Sequence, residues 1–152
     1  MSEESKVCAE GKIWDLHIHS NQCESYAGNN KDKPIDEYVN DLVNLFSDFP
    51  NLEMVSFTDH NHISSELYQE AIARDDFPNL LPGVEVDVQL AEGEPSKHLV
   101  VYFDAVNNDE KIKVLSGRLN HYFDANNVGP KNPVPIDSFL NMLLELRIPF
   151  TW

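Results

Sequence analysis

The sequence contains little cysteine and has no long apolar segment. Its two cysteines, Cys8 and Cys23, lack the spacing of a disulfide framework, so a reducing compartment is the default. The N-terminal MSEESKVCAEGK has no apolar stretch of the kind found in signal peptides. No segment approaches the roughly 18 consecutive apolar residues that a membrane-spanning helix needs. Together these absences predict a cytoplasmic protein.

Basic residues are also scarce, because the chain has 11 Lys and Arg but 26 Asp and Glu, for a net charge of −15. Affinity for nucleic-acid phosphates comes mainly from Lys and Arg. The chain on its own is therefore predicted to bind nucleic acid poorly. The acidity has two interpretations: it can simply keep the protein soluble, or some of the carboxylates can hold divalent cations.

The length of 152 residues, 41% of them hydrophobic, fits one domain with an apolar core. After a flexible N-terminus over residues 1–11, apolar periodicity predicts alternating strands and helices. Strands are predicted at 13–19, 54–58, 80–90, 98–103 and 148–152, and helices at 35–46, 64–74, 112–123 and 136–146, the last with Phe139, Leu140, Leu143 and Leu144 buried. This alternation favours an α/β fold with a largely parallel sheet. Because the sequence ends within the last strand and a β/α barrel usually needs about 250 residues, we expect part of a longer protein.

The first motif that carries chemistry is Asp15-Leu16-His17-Ile18-His19. Residues two apart on a strand point to the same face, so His17 and His19 can hold one metal ion. Asp15 shares that face and can orient an imidazole. The alternative is a polar strand face in contact with solvent.

The second motif is Thr58-Asp59-His60-Asn61-His62, directly after a predicted strand. The C-terminal ends of strands are where β/α folds place their reactive groups. The alternative is a turn in which Asp and Asn cap the next helix. That alternative accounts for Asn61 and His62 better than for Asp59 and His60.

The third motif places Glu85 in the strand segment Pro82-Gly83-Val84-Glu85-Val86-Asp87. A buried carboxylate without a partner would cost several kcal/mol, and a bound metal ion would remove that cost. The alternative is that strand alternation exposes Glu85 and Asp87 to solvent.

His98 opens the next apolar strand, HLVVYF, and taken alone it is typical of a structural histidine. The order of all the motifs is more specific, because the strand ends of a parallel barrel converge on one opening. Imidazoles combined with carboxylates suit zinc, manganese or iron. Several such ions close together suit the hydrolysis of a phosphate ester.

DLHIHS, FTDHN and GVEV, followed by a histidine that opens an apolar strand, resemble the successive motifs of the PHP (polymerase and histidinol phosphatase) superfamily of metal-dependent phosphoesterases. The resemblance runs from about Ile13 to Phe103. It implies a distorted TIM-like β/α barrel of PHP type with up to three metal ions, Zn, Mn or Fe, at its mouth. Residues 12–152 would form a partial PHP-like domain, roughly the first half to two-thirds of such a barrel.

The resemblance also implies a role for each candidate residue. His17 and His19 would bind the first metal ion, and Glu85 would bridge the first and second ions. His98 would bind the second ion. His60 would bind the third ion with Asp59 beside it, and Glu24 is the closest match to a further ligand of the family. Glu85, Asp59 and His60 would carry the catalytic role. The later histidine and the terminal Asp-x-His of the family do not follow His98.

The function implied is metal-dependent hydrolysis of a phosphate ester, with a nucleotide, a nucleic-acid end or a small phosphomonoester as substrate. The resemblance extends to PHP domains fused to larger ATPases, so a fused ATPase domain is the expected partner. The missing late ligands favour an alternative, which is a non-catalytic or degenerate module that serves a nucleic-acid-processing ATPase or polymerase. A third interpretation is an α/β domain whose histidines are incidental.

Overall fold

A computed structural model describes residues 11–23, 28 and 30–152 of the chain. The predicted flexible N-terminus therefore lies, apart from Gly11, outside the described residues. The strands are β1 (Ile13–Ile18), β2 (Leu52–Phe57), β3 (Asn79–Leu80), β4 (Gly83–Gln89), β5 (Lys97–Phe103), β6 (Val134–Pro135) and β7 (Phe150–Thr151), and the helices are α1 (Ile35–Phe46), α2 (Ser65–Ile72), α3 (Asp109–Asn126) and α4 (Ile136–Leu146).

The strands form two sheets, and this confirms the predicted α/β class. One sheet has the order β1-β2-β3 and is parallel throughout. The other has the order β6-β4-β5-β7, in which β4 and β6 are parallel while β5 runs antiparallel to both of its neighbours. The second sheet is less parallel than predicted because residues 90–96 between β4 and β5 are too few for the crossover that a parallel pair requires. Closure into a barrel stays a prediction.

Two contacts join the sheets near the end of β2. His60 and Glu85 form an isolated parallel bridge, with the Asn61 N–H donating to the Glu85 carbonyl at 2.8 Å. The Tyr102 hydroxyl of β5 donates to the Leu16 carbonyl of β1 at 2.9 Å. These bonds bring β1, the end of β2, β4 and β5 to one place.

The helices cover the sheets with amphipathic faces. The predicted start of α2 is confirmed, since the Ser64 side chain accepts a hydrogen bond from the Leu67 N–H at 3.2 Å. In α4 the buried residues are Phe139, Leu143 and Leu146, whereas the predicted core residue Leu144 is 68% exposed. Leu144 lies five positions after Phe139, which turns it well away from that buried stripe. Among the described residues, no helix combines the length and the apolar character needed to cross a bilayer.

Strand β4 is buried on both of its faces. Val84, Val86 and Val88 join the apolar core, but Glu85 and Asp87 on the opposite face are also buried, at 4% and 0% exposure. The interpretation that strand alternation exposes these two carboxylates is therefore wrong. Two acids inside the molecule need compensating partners.

Candidate metal centre

Glu85 lies at the centre of four histidines, all of them predicted from the sequence. Its Oε2 is 3.1 Å from His19 Nε2, 3.5 Å from His17 Nε2 and 3.7 Å from His60 Nε2. Its Oε1 is 2.5 Å from His98 Nδ1. Although three imidazoles surround Oε2, that buried oxygen accepts no hydrogen bond of acceptable geometry from the described residues.

His17 of β1 and His19, which follows the last residue of β1, lie on one side of the chain, as the period-two alternation of extended backbone predicts. Their rings meet edge to face with centroids 5.0 Å apart. The Thr58 hydroxyl lies 3.1 Å from His17 Nδ1 and leaves Nε2 directed at Glu85. Among the described residues, Asp15 forms no hydrogen bond to an imidazole, and its exposed carboxylate accepts the backbone N–H of His17 at 3.5 Å. Thr58 takes the orienting position that we predicted for Asp15.

His60 reaches the centre because the chain continues beside β4 after β2 ends. The Glu85 N–H donates to the Asp59 carbonyl at 3.1 Å, which fixes the backbone on either side of His60. The His60 ring stacks on His19, with centroids 4.8 Å apart and planes 5° from parallel. Asp59 itself is 2% exposed, and its carboxylate accepts both the N–H and the hydroxyl of Ser20 at 2.6 Å.

His98 lies on a strand that runs in the opposite direction from the one predicted. It begins an antiparallel strand, and the beginning of such a strand lies at the same edge as the end of its partner. His98 pairs with Asp87 across β4 and β5, and Glu85 lies two residues before Asp87 on the same face. The His98 ring therefore contacts both carboxylates.

Asp87 is a site residue for which the sequence reasoning assigned no role. It accepts hydrogen bonds from the Asn61 amide at 2.7 Å and from the Ser96 hydroxyl at 3.0 Å. The Asn61 side-chain carbonyl in turn accepts the Asp87 N–H at 3.0 Å. Asn61 has a φ of +49°, a left-handed conformation that Asn tolerates better than most residues. The spacing of Glu85 and Asp87, two apart on one strand face, was the signal for a second carboxylate at the site.

Burial shifts the pKa values of two site residues. It lowers the pKa of His19, an effect to which the neighbouring His60 adds. Neutral imidazole is the form that binds a metal ion. Burial also raises the pKa of Asp59, although the two hydrogen bonds from Ser20 oppose that change.

Within the described part of the chain, three groups of side chains have donor atoms close enough to share a cation, within 4.8 Å of one another in each group. They are His17, His19 and Glu85; His60, Glu85 and His98; and His19, Cys23 and Asp59. The first two groups share Glu85 and consist of imidazole and carboxylate donors, which fit zinc, manganese or iron. Cys23 is an addition that the sequence did not predict as a ligand. Glu24, the predicted further ligand, lies outside the described residues.

A cavity of about 620 Å³ opens beside His60 and His98, a size typical of small-molecule sites. Its wall includes Asp87, Phe123 and Asp124. Among the described residues, no lysine or arginine lines it. The cavity itself therefore offers an anion no basic side chain.

Comparisons with known proteins identify no family for the chain. No protein-family profile and no curated protein matches it. Four solved chains match by structure. One is an amidohydrolase from Chromobacterium violaceum, whose structure holds sulfate and no metal. The match has a TM-score of 0.43 and a sequence identity of 20%, and it covers 73% of this chain and 33% of that chain. This chain spans about a third of the length of that amidohydrolase, and a likeness this distant assigns it neither a fold nor an activity.

Proposed function

We propose that the chain forms a metal centre around Glu85 and belongs to a metal-dependent hydrolase that cleaves phosphate esters. One observation carries the proposal: a buried carboxylate oxygen has three imidazole nitrogens within 3.7 Å and accepts no hydrogen bond from the described residues. Without a cation, such an oxygen would lie desolvated and uncompensated. Histidine nitrogens directed at one carboxylate are a ligand set for a transition-metal ion.

Two neighbouring ions would share Glu85 under this proposal. His17 and His19 would hold one, and His60 and His98 the other, following the two groups that have Glu85 in common. This grouping differs from the PHP resemblance, which gives His60 to a third ion. When bound, such ions supply positive charge to phosphate oxygens and lower the pKa of a bound water.

The surrounding residues would hold the ligands in the binding form. The Thr58 hydroxyl fixes the His17 ring through Nδ1, and Asp87 faces His98 Nε2 at 3.5 Å. Partners of this kind set the tautomer and the ring orientation of a metal-bound histidine. The lowered pKa of His19 keeps that imidazole neutral at lower pH than usual.

One feature favours a phosphate ester as the substrate. The ordered motifs DLHIHS, FTDHN and GVEV resemble those of PHP phosphoesterases, with the partial barrel that this family implies. The cavity beside His60 has no basic side chain among its described residues, so the cations would have to balance the charge of a phosphate. A nucleotide or a small phosphomonoester fits this cavity better than a long nucleic acid, which needs an extended basic surface.

The test is phosphate release by the purified chain loaded with zinc, manganese or iron(II), with nucleotides, ribonucleotide ends and small phosphomonoesters as substrates. Glu85→Gln is the site variant, and Glu92→Gln, at an exposed position, is the matched control. We expect metal-dependent hydrolysis by the wild type and by the control, and none by Glu85→Gln. Metal binding at Glu85 without hydrolysis of any ester would overturn the enzymatic proposal and favour the non-catalytic module.

A further inference from the structure

The cavity beside the Glu85 centre has a wall that belongs to the end of α3. Asp124 and Asn127 line this part of the cavity, which we call the α3 wall. The candidate ligands His60 and His98 line the same cavity. An ester whose phosphate met the centre would therefore place its alcohol portion against the α3 wall.

Hydrogen bonds at the end of α3 hold the α3 wall in a fixed shape. Asn127 has a left-handed φ of +48°, and its N–H donates to the Asp124 carbonyl at 3.1 Å. The Val128 N–H donates to the Phe123 carbonyl at 3.0 Å, and the Asn132 amide donates to the Asn127 carbonyl at 3.0 Å. These bonds satisfy carbonyl groups at the end of the helix. A wall that is ordered in advance loses less entropy when a ligand binds.

Helix α3 is also joined directly to the segment that follows β2. The Asn120 side chain accepts the Ile63 N–H and donates to the Ile63 carbonyl, both at 2.9 Å. The Ser116 hydroxyl donates to the same carbonyl at 2.8 Å. His62, the residue before Ile63, lines the cavity. These bonds fix the distance between the α3 wall and the segment that carries His62.

Asp124 occupies a position where a carboxylate does not help the helix. It lies in the last turn of α3, which contains no basic residue. A negative charge there faces the partial negative charge of the helix C-terminus, which is unfavourable. Among the described residues, Asp124 has no ion-pair partner to offset this. Helix stability therefore does not account for the carboxylate, whereas a hydrogen-bond donor in the cavity would.

The cavity lining offers both donors and acceptors of hydrogen bonds. Asn127, Gln22 and His62 carry N–H groups, and the Asp124 carboxylate only accepts. An alkyl chain would use none of these groups, and an ammonium group would donate but not accept. A second phosphate would accept only, and Asp124 would repel it. A hydroxyl group both donates and accepts, so an alcohol with several hydroxyls matches this lining.

We propose that the cavity binds the alcohol portion of the ester and that this alcohol is a small polyol, with Asp124 as a specificity-determining residue. The substrate class is then a sugar or polyol monophosphate. In its hydrolysis the water oxygen bonds to phosphorus, the ester P–O bond breaks, and the polyol leaves with one proton of the water. This inference rests on the proposed function, because the phosphate has to lie at the Glu85 centre.

The test is isothermal titration calorimetry of the full chain loaded with manganese. The probes are inorganic phosphate and the phosphonate analogues of sorbitol 6-phosphate, hexyl phosphate and 6-aminohexyl phosphate. The three analogues carry the same six-carbon chain, and a carbon–phosphorus bond replaces the ester bond, so binding is measured without hydrolysis. The proteins are wild type, Asp124→Ala, Glu85→Gln and the control Asp76→Ala, at an exposed position.

We expect the sorbitol analogue to bind wild type about tenfold more tightly than the other two analogues, as hydrogen bonds to a charged group allow. Asp124→Ala should lose most of this preference and bind phosphate as wild type does, and Asp76→Ala should keep the preference. Asp124→Ala should also be at least as stable as wild type in urea, since it removes an unfavourable charge from α3. Equal affinities for the three analogues, tighter binding of the aminohexyl analogue, or an unchanged preference in Asp124→Ala would overturn the inference.

The phosphate titration separates this inference from the proposed function. If phosphate binds wild type but not Glu85→Gln, and the three analogues bind wild type equally, the Glu85 centre stands and the polyol site fails. If phosphate binds neither protein, while the sorbitol analogue binds wild type and not Asp124→Ala, the centre fails and the polyol site stands. Binding of no probe to wild type would overturn both.

Discussion

His98 lies directly opposite Asp87 in the β4–β5 hairpin, with its Nε2 3.5 Å from Asp87 Oδ1 and its Nδ1 2.5 Å from Glu85 Oε1. One imidazole thus contacts two buried carboxylates through its two nitrogens. The Glu85 contact belongs to the candidate ligand set, and we expect the Asp87 contact to set the ring orientation. Asp87 is itself fixed by Asn61 and Ser96.

Asp87→Asn should weaken metal binding by about 10- to 100-fold, the usual effect of removing a carboxylate that orients a metal-bound histidine. The substitution keeps the size of the side chain but removes the charge that holds His98 Nε2. Competition with a chromophoric chelator measures the affinity, and the exposed substitution Asp76→Asn serves as the control. Equal affinities for both variants would show that Asp87 does not position His98.

Gly83→Ala should lower the free energy of unfolding by roughly 1–3 kcal/mol, as overpacking a core position does. A Cβ at this position would lie 2.5 Å from Ser56 Oγ and 2.8 Å from Thr58 Cγ2, and both residues are buried. Gly117→Ala is the control, because nothing lies within 4 Å of its added Cβ and alanine favours a helix interior by about 1 kcal/mol. If urea denaturation gave Gly83→Ala the same free energy of unfolding as wild type, the described packing of β4 beside the end of β2 would be contradicted.

Tyr68 should make the folded protein sensitive to alkaline pH. Its hydroxyl donates to the Phe57 carbonyl at 2.9 Å and accepts the Gly83 N–H at 3.2 Å, and burial raises its pKa well above the ordinary value of 10.0. Above about pH 10 the unfolded chain loses this proton while the folded chain retains it. The stability contributed by Tyr68 is therefore complete below that pH and declines as the pH rises toward the folded-state pKa.

Denaturant unfolding of wild type and Tyr68→Phe on both sides of pH 10 measures this effect. Tyr68→Phe should be less stable than wild type at neutral pH, by about 1 kcal/mol for the lost hydrogen bonds. The difference should shrink as the pH rises, because the variant has no phenol to titrate. A constant difference across the whole range would contradict the burial of the Tyr68 hydroxyl.

Local signals in the sequence were sufficient to predict most elements of the fold. Pro34 and the apolar stripe that follows it predicted α1, and Ser64 predicted the start of α2, because both signals act within one or two helical turns. The direction of β5 was not predicted correctly, since the apolar run HLVVYF looks the same in a parallel and an antiparallel strand. Only the short connection after β4 carried that information.

The candidate site was predictable to a similar extent. His17, His19, His60, Glu85 and His98 stood out as polar residues at the ends or in the interior of apolar strands, and the structure brings all five together. Their role as metal ligands stays a prediction. The sequence predicted no role at the site for Thr58, Asp87 or Cys23, because their contacts depend on tertiary packing between segments far apart in the sequence.

The measurement that tests the central claim most directly is metal analysis of the purified chain by inductively coupled plasma mass spectrometry after incubation with zinc, manganese and iron(II). Wild type, Glu85→Gln and the exposed control Glu92→Gln are compared, with circular dichroism to check that each is folded. A centre built on Glu85 predicts that wild type and Glu92→Gln retain the same amount of metal and that Glu85→Gln retains less. Equal metal content in wild type and folded Glu85→Gln, or no metal in wild type, would contradict it.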